Sequence, residues 1–257
     1  MTTQICYEQP LSKPVRLFLR YEQLMERFDW SLHDPSASAA HAAMVALLDL
    51  YQHGMHVDLK AEALREIERL GKALEYPDER RERLGEECLQ QLERLQTEGI
   101  QHINNIHGQL GAQLRNHHFF NLIRQRILMP GGINSFDLPV YHHWLSQPHE
   151  TRAELLLHWA ASYLEFNKVV KNILTLTRNN YRTENMKAEQ GYFQQMIPPD
   201  ESIQLLQLCL PDGVRCYPEV SSGKQRFSIR FFDPRDLTER PSQSRESISF
   251  EVRYCGI

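Results

Sequence analysis

The sequence has no long apolar run. It contains nothing near the roughly 18 consecutive apolar residues that a membrane-spanning helix needs, and its first residues, MTTQICYEQPLSKP, lack the apolar core of a secretory signal peptide. Cysteine is also scarce, with five widely spaced residues and no C-x-x-C pair. These absences predict a cytoplasmic protein that does not insert into membranes and whose thiols are reduced, with a single intermolecular disulfide as the less favoured alternative.

Sequence motifs that mark enzymes are missing as well. There is no G-x-G-x-x-G, no complete P-loop, no H-E-x-x-H and no G-x-S-x-G. The twelve histidines are scattered, and adjacent ones such as His117 and His118 do not face the same way on a helix. Without cysteine or carboxylate partners at ligand spacing, partly exposed histidines are favoured over a zinc site. We therefore predict no enzymatic activity, no catalytic or metal-binding residues and no cofactor.

The order of secondary-structure signals indicates the fold class. Helical spacing dominates the first part of the chain, including a charged amphipathic pair between Leu59 and Gly99 and a long helix in ETRAELLLHWAASYLEFNKVVKNILTLTRNN. The later segments SIQLLQLCL, KQRFSIRFF and SISFEVRYC predict strands. Helices followed by strands indicate an α+β fold. We expect a mostly helical domain over 10–198 and a small antiparallel β domain over 199–257, with 3–9 as an additional strand.

Two shorter segments lead to predictions of their own. SFDLPVYHHWL predicts a short helix that Asp137 caps and in whose first turn Pro139 lies. YRTENMKAEQGYFQQMIPPDES, between the long helix and the predicted strands, is polar and predicts a connector.

Basic residues stand out near the C-terminus, although the whole chain has a net charge of −4 and a sequence pI of about 6.3. A dedicated nucleic-acid binder would more often have a pI above about 9, so a cationic function here must be local. In GKQRFSIRFF, an extended strand would place apolar side chains on one face and basic ones on the other. The apolar set is Phe227, Ile229 and Phe231, and the basic set is Lys224, Arg226 and Arg230.

Further basic residues lie on predicted helices. Arg16 and Arg20 are four residues apart and so share one helical face. Arg124 and Arg126 lie at the end of a helix that PGG must stop, and Arg115 precedes that helix. Each of these side chains could equally pair with a nearby carboxylate.

Four stretches of the sequence are distinctive in content and order. They are YEQPL…VRLFLRYEQL, IRQRILMPGGINSFDLPVYHHWL, GYFQQM and YPEVSSGKQRFSIRF. Together they resemble the ZapD family of bacterial cell-division proteins, and weaker similarity covers the charged helices. The resemblance spans nearly the whole chain, and the run R-Q-R…P-G-G…S-F-D-L-P…H-x-W-L is its most specific part.

The resemblance implies a function in septation. It implies a homodimeric cytoplasmic protein, without chemistry of its own, that bundles protofilaments of the tubulin-like GTPase FtsZ in the Z-ring at midcell. The disordered C-terminal tail of FtsZ would dock in a basic pocket. Nine tail-binding positions are implied, and all of them except Arg115 match the family's motifs well. They are Arg16, Arg20, Arg115, Arg124, Arg126, His142, Lys224, Arg226 and Arg230. The family commonly ends the helix LLDLYQHG with a basic side chain where this sequence has His53, so His53 stays outside the predicted site.

Two other functional classes compete with this interpretation. The same basic face could bind nucleic acid, but we expect no nucleic-acid partner, because the chain is acidic and lacks the aromatic signature of RNA-recognition sheets. An enzyme with an arginine-lined anion site is the third reading, and it lacks a nucleophile–base pair or a metal-ligand set.

Overall fold

The computed structural model describes residues 4–198, 202–223, 226–234 and 238–257. The chain forms two compact units. One, here called the β unit, comprises the described parts of Met1–Arg16 and Leu174–Ile257, and the other, the helical unit, comprises Leu17–Ile173. The predicted domain limits stay a prediction, because compactness does not measure independent folding.

Nine α-helices lie within the described residues. They are α1 (Lys13–Leu32), α2 (Ala37–His56), α3 (Leu59–Gly71), α4 (Asp78–Leu84), α5 (Glu86–Arg94), α6 (Ile100–Asn105), α7 (His118–Arg126), α8 (Pro139–Leu145) and α9 (His149–Asn179). Side-chain caps precede α2, α3 and α7: Ser36 accepts a hydrogen bond from the Ala39 amide, Asp58 from the Ala61 amide and His117 from the Phe120 amide. The long predicted helix is confirmed as α9.

The charged helical pair predicted between Leu59 and Gly99 is present, with a break. The apolar stripe of α3 is buried at Leu59, Ala63, Ile67 and Leu70, as its spacing predicts. Gly85 adopts a φ of 77°, a conformation that glycine tolerates best, and it separates α4 from α5. One predicted helix is therefore two.

Aromatic side chains fill much of the helical unit between α7, α8 and α9. The rings of Tyr141 and Trp144 stack with centroids 5.5 Å apart. The ring of Phe119 lies 6.2 Å from that of Tyr141 and 5.7 Å from that of Trp159. These contacts make α7 and α8 neighbours, which fixes the positions of the basic residues that they carry.

The β unit contains two antiparallel sheets. Its strands are β1 (Ile5–Pro10), β2 (Tyr181–Ala188), β3 (Tyr192–Met196), β4 (Leu205–Leu210), β5 (Tyr217–Ser222), β6 (Arg226–Asp233), β7 (Ser242–Gln243) and β8 (Ile248–Cys255). The first sheet has the order β1-β4-β8-β2, and the second has the order β3-β6-β5, with β7 also paired to β6. Side chains of both sheets, among them Leu208, Phe250 and Phe231, form one apolar core. Helices followed by antiparallel sheets confirm the α+β prediction.

The predicted polar connector is wrong, because its residues form β2 and β3. These strands pair with β8 and β6, which come much later in the chain. Each exposes alternate side chains, so its composition is polar although its backbone is fully paired on one side. Gly191, with a φ of 66°, lets the chain turn between them, and a Cβ there would lie 2.5 Å from the Ser244 carbonyl oxygen.

Two further predictions fail locally. Asp137 does not cap α8, because the helix begins at Pro139 and the residue in the cap position is Leu138, which has no side-chain oxygen. The thiols are not all reduced either. Cys6 on β1 lies directly opposite Cys209 on β4, and the two form a disulfide. The cysteines outside this disulfide are buried, and they are Cys88, Cys216 and Cys255.

Candidate functional site

Strand β6 separates its apolar and basic side chains between two faces, as its alternation predicts. Phe227, Ile229 and Phe231 are fully buried in the core of the β unit. Arg226 and Arg230 are exposed on the opposite face. The strand interpretation is therefore confirmed for these five residues. Lys224, the third predicted cation of this face, lies outside the described residues.

The neighbouring strands complete the outer face around these arginines. In the antiparallel register, Arg230 lies between Tyr192 of β3 and Glu219 of β5. Arg226 lies opposite Met196 of β3. Tyr192, Met196 and Glu219 are all exposed, so this face combines cations, one carboxylate and apolar surface. Arg230 and Glu219 lie on neighbouring strands without forming an ion pair, although both are described.

On α1, two arginines lie between buried positions. Val15, Phe18 and Tyr21 are fully buried, which leaves Arg16 and Arg20 on the exposed side of the helix. Arg16 belongs to the β unit, where its guanidinium donates a hydrogen bond of 3.4 Å to the Pro10 carbonyl oxygen. Arg20 belongs to the helical unit. Both positively charged groups face solvent.

The remaining candidates lie on or beside α7 and α8. The Arg115 guanidinium donates a hydrogen bond to the Gln109 side-chain oxygen at 2.9 Å. The backbone carbonyl oxygen of Arg115 accepts one from the side-chain amide of Asn121 on α7. Arg124 is half-buried, with its guanidinium carbon 5.7 Å from the centroid of the Tyr51 ring. Its Nε is buried, and no described atom accepts a hydrogen bond from it. Arg126, in the last turn of α7, is exposed.

His142 is exposed on α8, next to α7. The helical unit thus brings together four predicted positions on neighbouring elements, which are Arg115, Arg124, Arg126 and His142. Phe119 of α7 packs against Tyr141 and Trp144 of α8, so the two helices that carry these positions are in direct contact.

The described candidates have one electrostatic property in common. Within the described part of the chain, not one of the eight forms an ion pair with a carboxylate. Other arginines do pair, as Arg69 does with Glu66 at 2.7 Å and Arg178 with Glu8 at 2.8 Å. Pairing with a local carboxylate therefore does not account for the presence of these basic side chains, which face solvent or polar and aromatic groups.

His53 is close to Arg20 but carries little charge at neutral pH. Burial lowers the pKa of His53 most, the nearby cations of Arg20 and His56 lower it further, and a hydrogen bond to a carbonyl oxygen opposes them. That bond joins the His53 Nε2 to the Leu17 oxygen at 3.2 Å, so the neutral ring donates its proton there. His53 is thus a neutral hydrogen-bond donor at this position.

Sequence reasoning missed a group of exposed apolar side chains. The segment between α7 and α8 exposes Leu128, Met129 and Phe136. The signal was available, since these large apolar residues lie around PGG, outside any helical or strand periodicity.

No group of three or more histidine, cysteine or carboxylate side chains among the described residues could hold a metal ion. None of the described helices is both long enough and apolar enough to cross a lipid bilayer.

Comparison with known proteins gives consistent results over the whole chain. A family model described as the cell division protein ZapD matches residues 19–230. A protein named Cell division protein ZapD from Coxiella burnetii is 34% identical over 263 residues, covering 100% of both chains. The protein of that name from Chromobacterium violaceum is 31% identical over 255 residues, covering 98% of this chain and 99% of the relative.

The matched residues contain most of the site positions. Arg16 precedes the range 19–230, and the other eight predicted positions lie within it. A third relative of the same name, from Nitrosomonas europaea, is 30% identical and covers 100% of this chain and 97% of its own length. The chain therefore belongs to the ZapD family of cell division proteins.

Proposed function

We propose that this protein binds the C-terminal tail of FtsZ and, as a homodimer, crosslinks FtsZ protofilaments into bundles, which promotes Z-ring assembly at midcell. It performs no chemistry of its own. Membership of a cell division family supports the general role. The observation that carries the specific proposal is the set of cations without carboxylate partners, which includes Arg226 and Arg230.

Arginine suits the recognition of a carboxylate-bearing tail. Its planar guanidinium makes two parallel hydrogen bonds to one carboxylate, which a lysine ammonium does not. On β6, the buried neighbours Phe227, Ile229 and Phe231 hold the arginine backbone in place. An incoming peptide therefore meets charges that are carried on an ordered strand and that need not first leave an internal ion pair.

Dimerisation turns weak contacts into bundling. A disordered tail loses chain entropy when it docks, so the affinity of one tail for one site is modest. A dimer presents two such sites to filaments that carry many tails, and the second engagement takes place at a high effective concentration. Crosslinking follows when the two tails come from different filaments.

Co-sedimentation with polymerising FtsZ tests the proposal. We expect the protein to pellet with FtsZ filaments but not with filaments of FtsZ that lacks the tail. Light scattering should give the mass of two 30.2 kDa chains under the same conditions. Equal pelleting with tail-less filaments, or a monomer under bundling conditions, would contradict it. A gel shift with nucleic acid should be negative, and a strong shift would favour a nucleic-acid partner on the same basic face.

A further inference from the structure

The loop between α7 and α8 exposes large apolar side chains to solvent. Leu128 is 79% exposed and Phe136 is 78% exposed, and Met129 and Val140 are also exposed. Trp30 on α1, by contrast, is the single large apolar residue exposed in its helix, and single ones are normal on protein surfaces. Four within one short segment are unusual and are typical of a binding surface.

The backbone of this loop is a chain of tight turns. The Met129 amide donates to the Arg126 carbonyl at 2.9 Å, the Gly132 amide to the Met129 carbonyl at 2.9 Å, and the Leu138 amide to the Asn134 carbonyl at 2.8 Å. Gly132 is buried, and a Cβ there would lie 2.7 Å from the Arg126 carbonyl oxygen. The backbone geometry thus holds the apolar side chains outward and anchors the loop to the end of α7.

The sequence around the loop has few carboxylates. From Gly99 to His149, Asp137 is the one acidic residue, whereas three arginines and seven histidines occur. Arg124 and Arg126 lie at the start of the loop, and His142 lies just after it. The exposed apolar side chains are therefore preceded by two arginines, and Asp137 is the one carboxylate in the loop.

We propose that the loop 127–138, together with Val140, is the apolar half of the tail-binding surface in the helical unit. It takes the large apolar side chains of an acidic peptide whose carboxylates pair with Arg124, Arg126 and His142. This inference rests on the proposed function and adds to it that the tail is recognised by apolar contacts as well as by charge.

Charge complementarity selects this occupant over a second copy of the chain. In a two-fold symmetric contact, one patch faces the same patch of the partner. Each copy would then bring Arg124 and Arg126 but only one carboxylate, Asp137, into the contact, and the excess positive charge is unfavourable when it loses water. An acidic peptide with apolar side chains satisfies both properties of the loop.

Fluorescence anisotropy with a labelled synthetic peptide of the FtsZ tail tests the inference on the full-length protein. Phe136→Ser and Leu128→Ser should each weaken binding about tenfold, because each variant loses the burial of one large apolar side chain in the complex. The matched control is Trp30→Ser, which removes an equally exposed aromatic residue, at 78%, from another surface and should bind like the wild type. A peptide whose apolar residues are replaced by serine, with its carboxylates kept, should lose affinity to a similar extent.

Arg126→Glu separates the two proposals. If it weakens binding while Phe136→Ser and Leu128→Ser bind like the wild type, the apolar half is wrong and the proposed function stands. If the wild type does not bind the peptide, both are wrong. If Phe136→Ser lowers the mass seen by light scattering and leaves peptide affinity unchanged, the loop is an interface between copies, which also overturns the inference. An equal loss in Trp30→Ser would do the same.

Discussion

The side chains of β6 alternate between the core of the β unit and the exposed face that carries the arginines. Ile229, fully buried, contributes to the core of the β unit, whereas its neighbours Ser228 and Arg230 point the other way. A change on the outer face therefore removes little packing, and a change on the inner face removes much. This difference allows the binding role of the arginines to be tested separately from folding.

Arg226→Glu and Arg230→Glu should each abolish tail binding and leave the fold intact. Reversing the charge replaces attraction by repulsion, which in a partly desolvated contact is worth several kcal/mol. Isothermal titration with the tail peptide and circular dichroism measure the two effects. Ile229→Asp is the control on the inner face, and it should unfold the protein because it buries a charge without a partner. Normal binding by both reversal variants would remove these arginines from the site.

The carboxylate of Glu8 on β1 contributes to the stability of the β unit. Its carboxylate accepts two hydrogen bonds from Arg178, at 2.8 and 2.9 Å, and one from Gln207 at 2.9 Å. Burial acts to raise the pKa of Glu8, but these hydrogen bonds and the Arg178 charge lower it on balance. The carboxylate thus ties the first strand to β4 and to the end of α9 within the β unit.

Glu8→Gln should destabilise the protein at pH 7 by about 1–2 kcal/mol, since it removes charge-assisted hydrogen bonds. The folded-state pKa lies below the unfolded value of about 4.3. The carboxylate therefore stabilises the fold above that pH, and the stabilisation is lost as the pH falls through the folded pKa. Urea unfolding at pH 7 and pH 3.5 should show a difference between variant and wild type that shrinks in acid. A constant difference would contradict the ionic origin.

At the scale of elements, the N-terminal strand is an edge strand with two attachments. β1 has one neighbour, β4, in the described sheet, and its other edge carries no described strand. Glu8 links it to Gln207, and the Cys6–Cys209 disulfide links the same two strands. Because the two cysteines are 203 positions apart in a chain of 257 residues, the bond closes most of the chain into a loop.

Thiol titration of the denatured protein should give three free thiols per chain before reduction and five after it. Replacing both Cys6 and Cys209 by serine should lower the free energy of unfolding by about 2–4 kcal/mol, because the unfolded chain is then less restricted. Cys255→Ser is the control, which should leave the difference between the two counts unchanged. Five thiols before reduction would show that the pair is not bonded.

At the scale of the whole molecule, the proposed function makes bundling depend on two tail-binding sites of a dimer at once. Exposed charge pairs are screened over about 8 Å at physiological ionic strength and over shorter distances as salt increases. Each contact weakens only moderately, but losses at two sites compound. The salt dependence of bundling should therefore be steeper than that of peptide binding.

FtsZ turbidity with this protein should fall steeply from low to high potassium chloride, while FtsZ polymerisation alone, measured in parallel, changes less. The Phe136→Ser variant should lose bundling at lower salt than the wild type, since it keeps the charges and lacks one apolar contact. Bundling that persists undiminished at several hundred millimolar salt would mean that the arginines do not hold the tail.

Local periodicity and motif content were sufficient for much of the fold. The alternation of residues 226–231 predicted which side of β6 is buried, because the side-chain direction in a strand has a period of two. The long apolar surface of α9 and the buried stripe of α3 followed from helical spacing. The distinctive stretches around RQR and PGG identified the family, and with it the candidate positions.

The tertiary structure decided features that depend on partners far away in the chain. β2 and β3 are polar in composition and become strands because β8 and β6 pair with them. Cys6 and Cys209 meet because β1 and β4 are neighbours, and no spacing in the sequence encodes that register. Phe136 is apolar and composition alone predicts its burial, but it is 78% exposed in the loop between α7 and α8. Local patterns determine direction and periodicity, whereas pairing and exposure depend on which distant segments the folded chain places beside them.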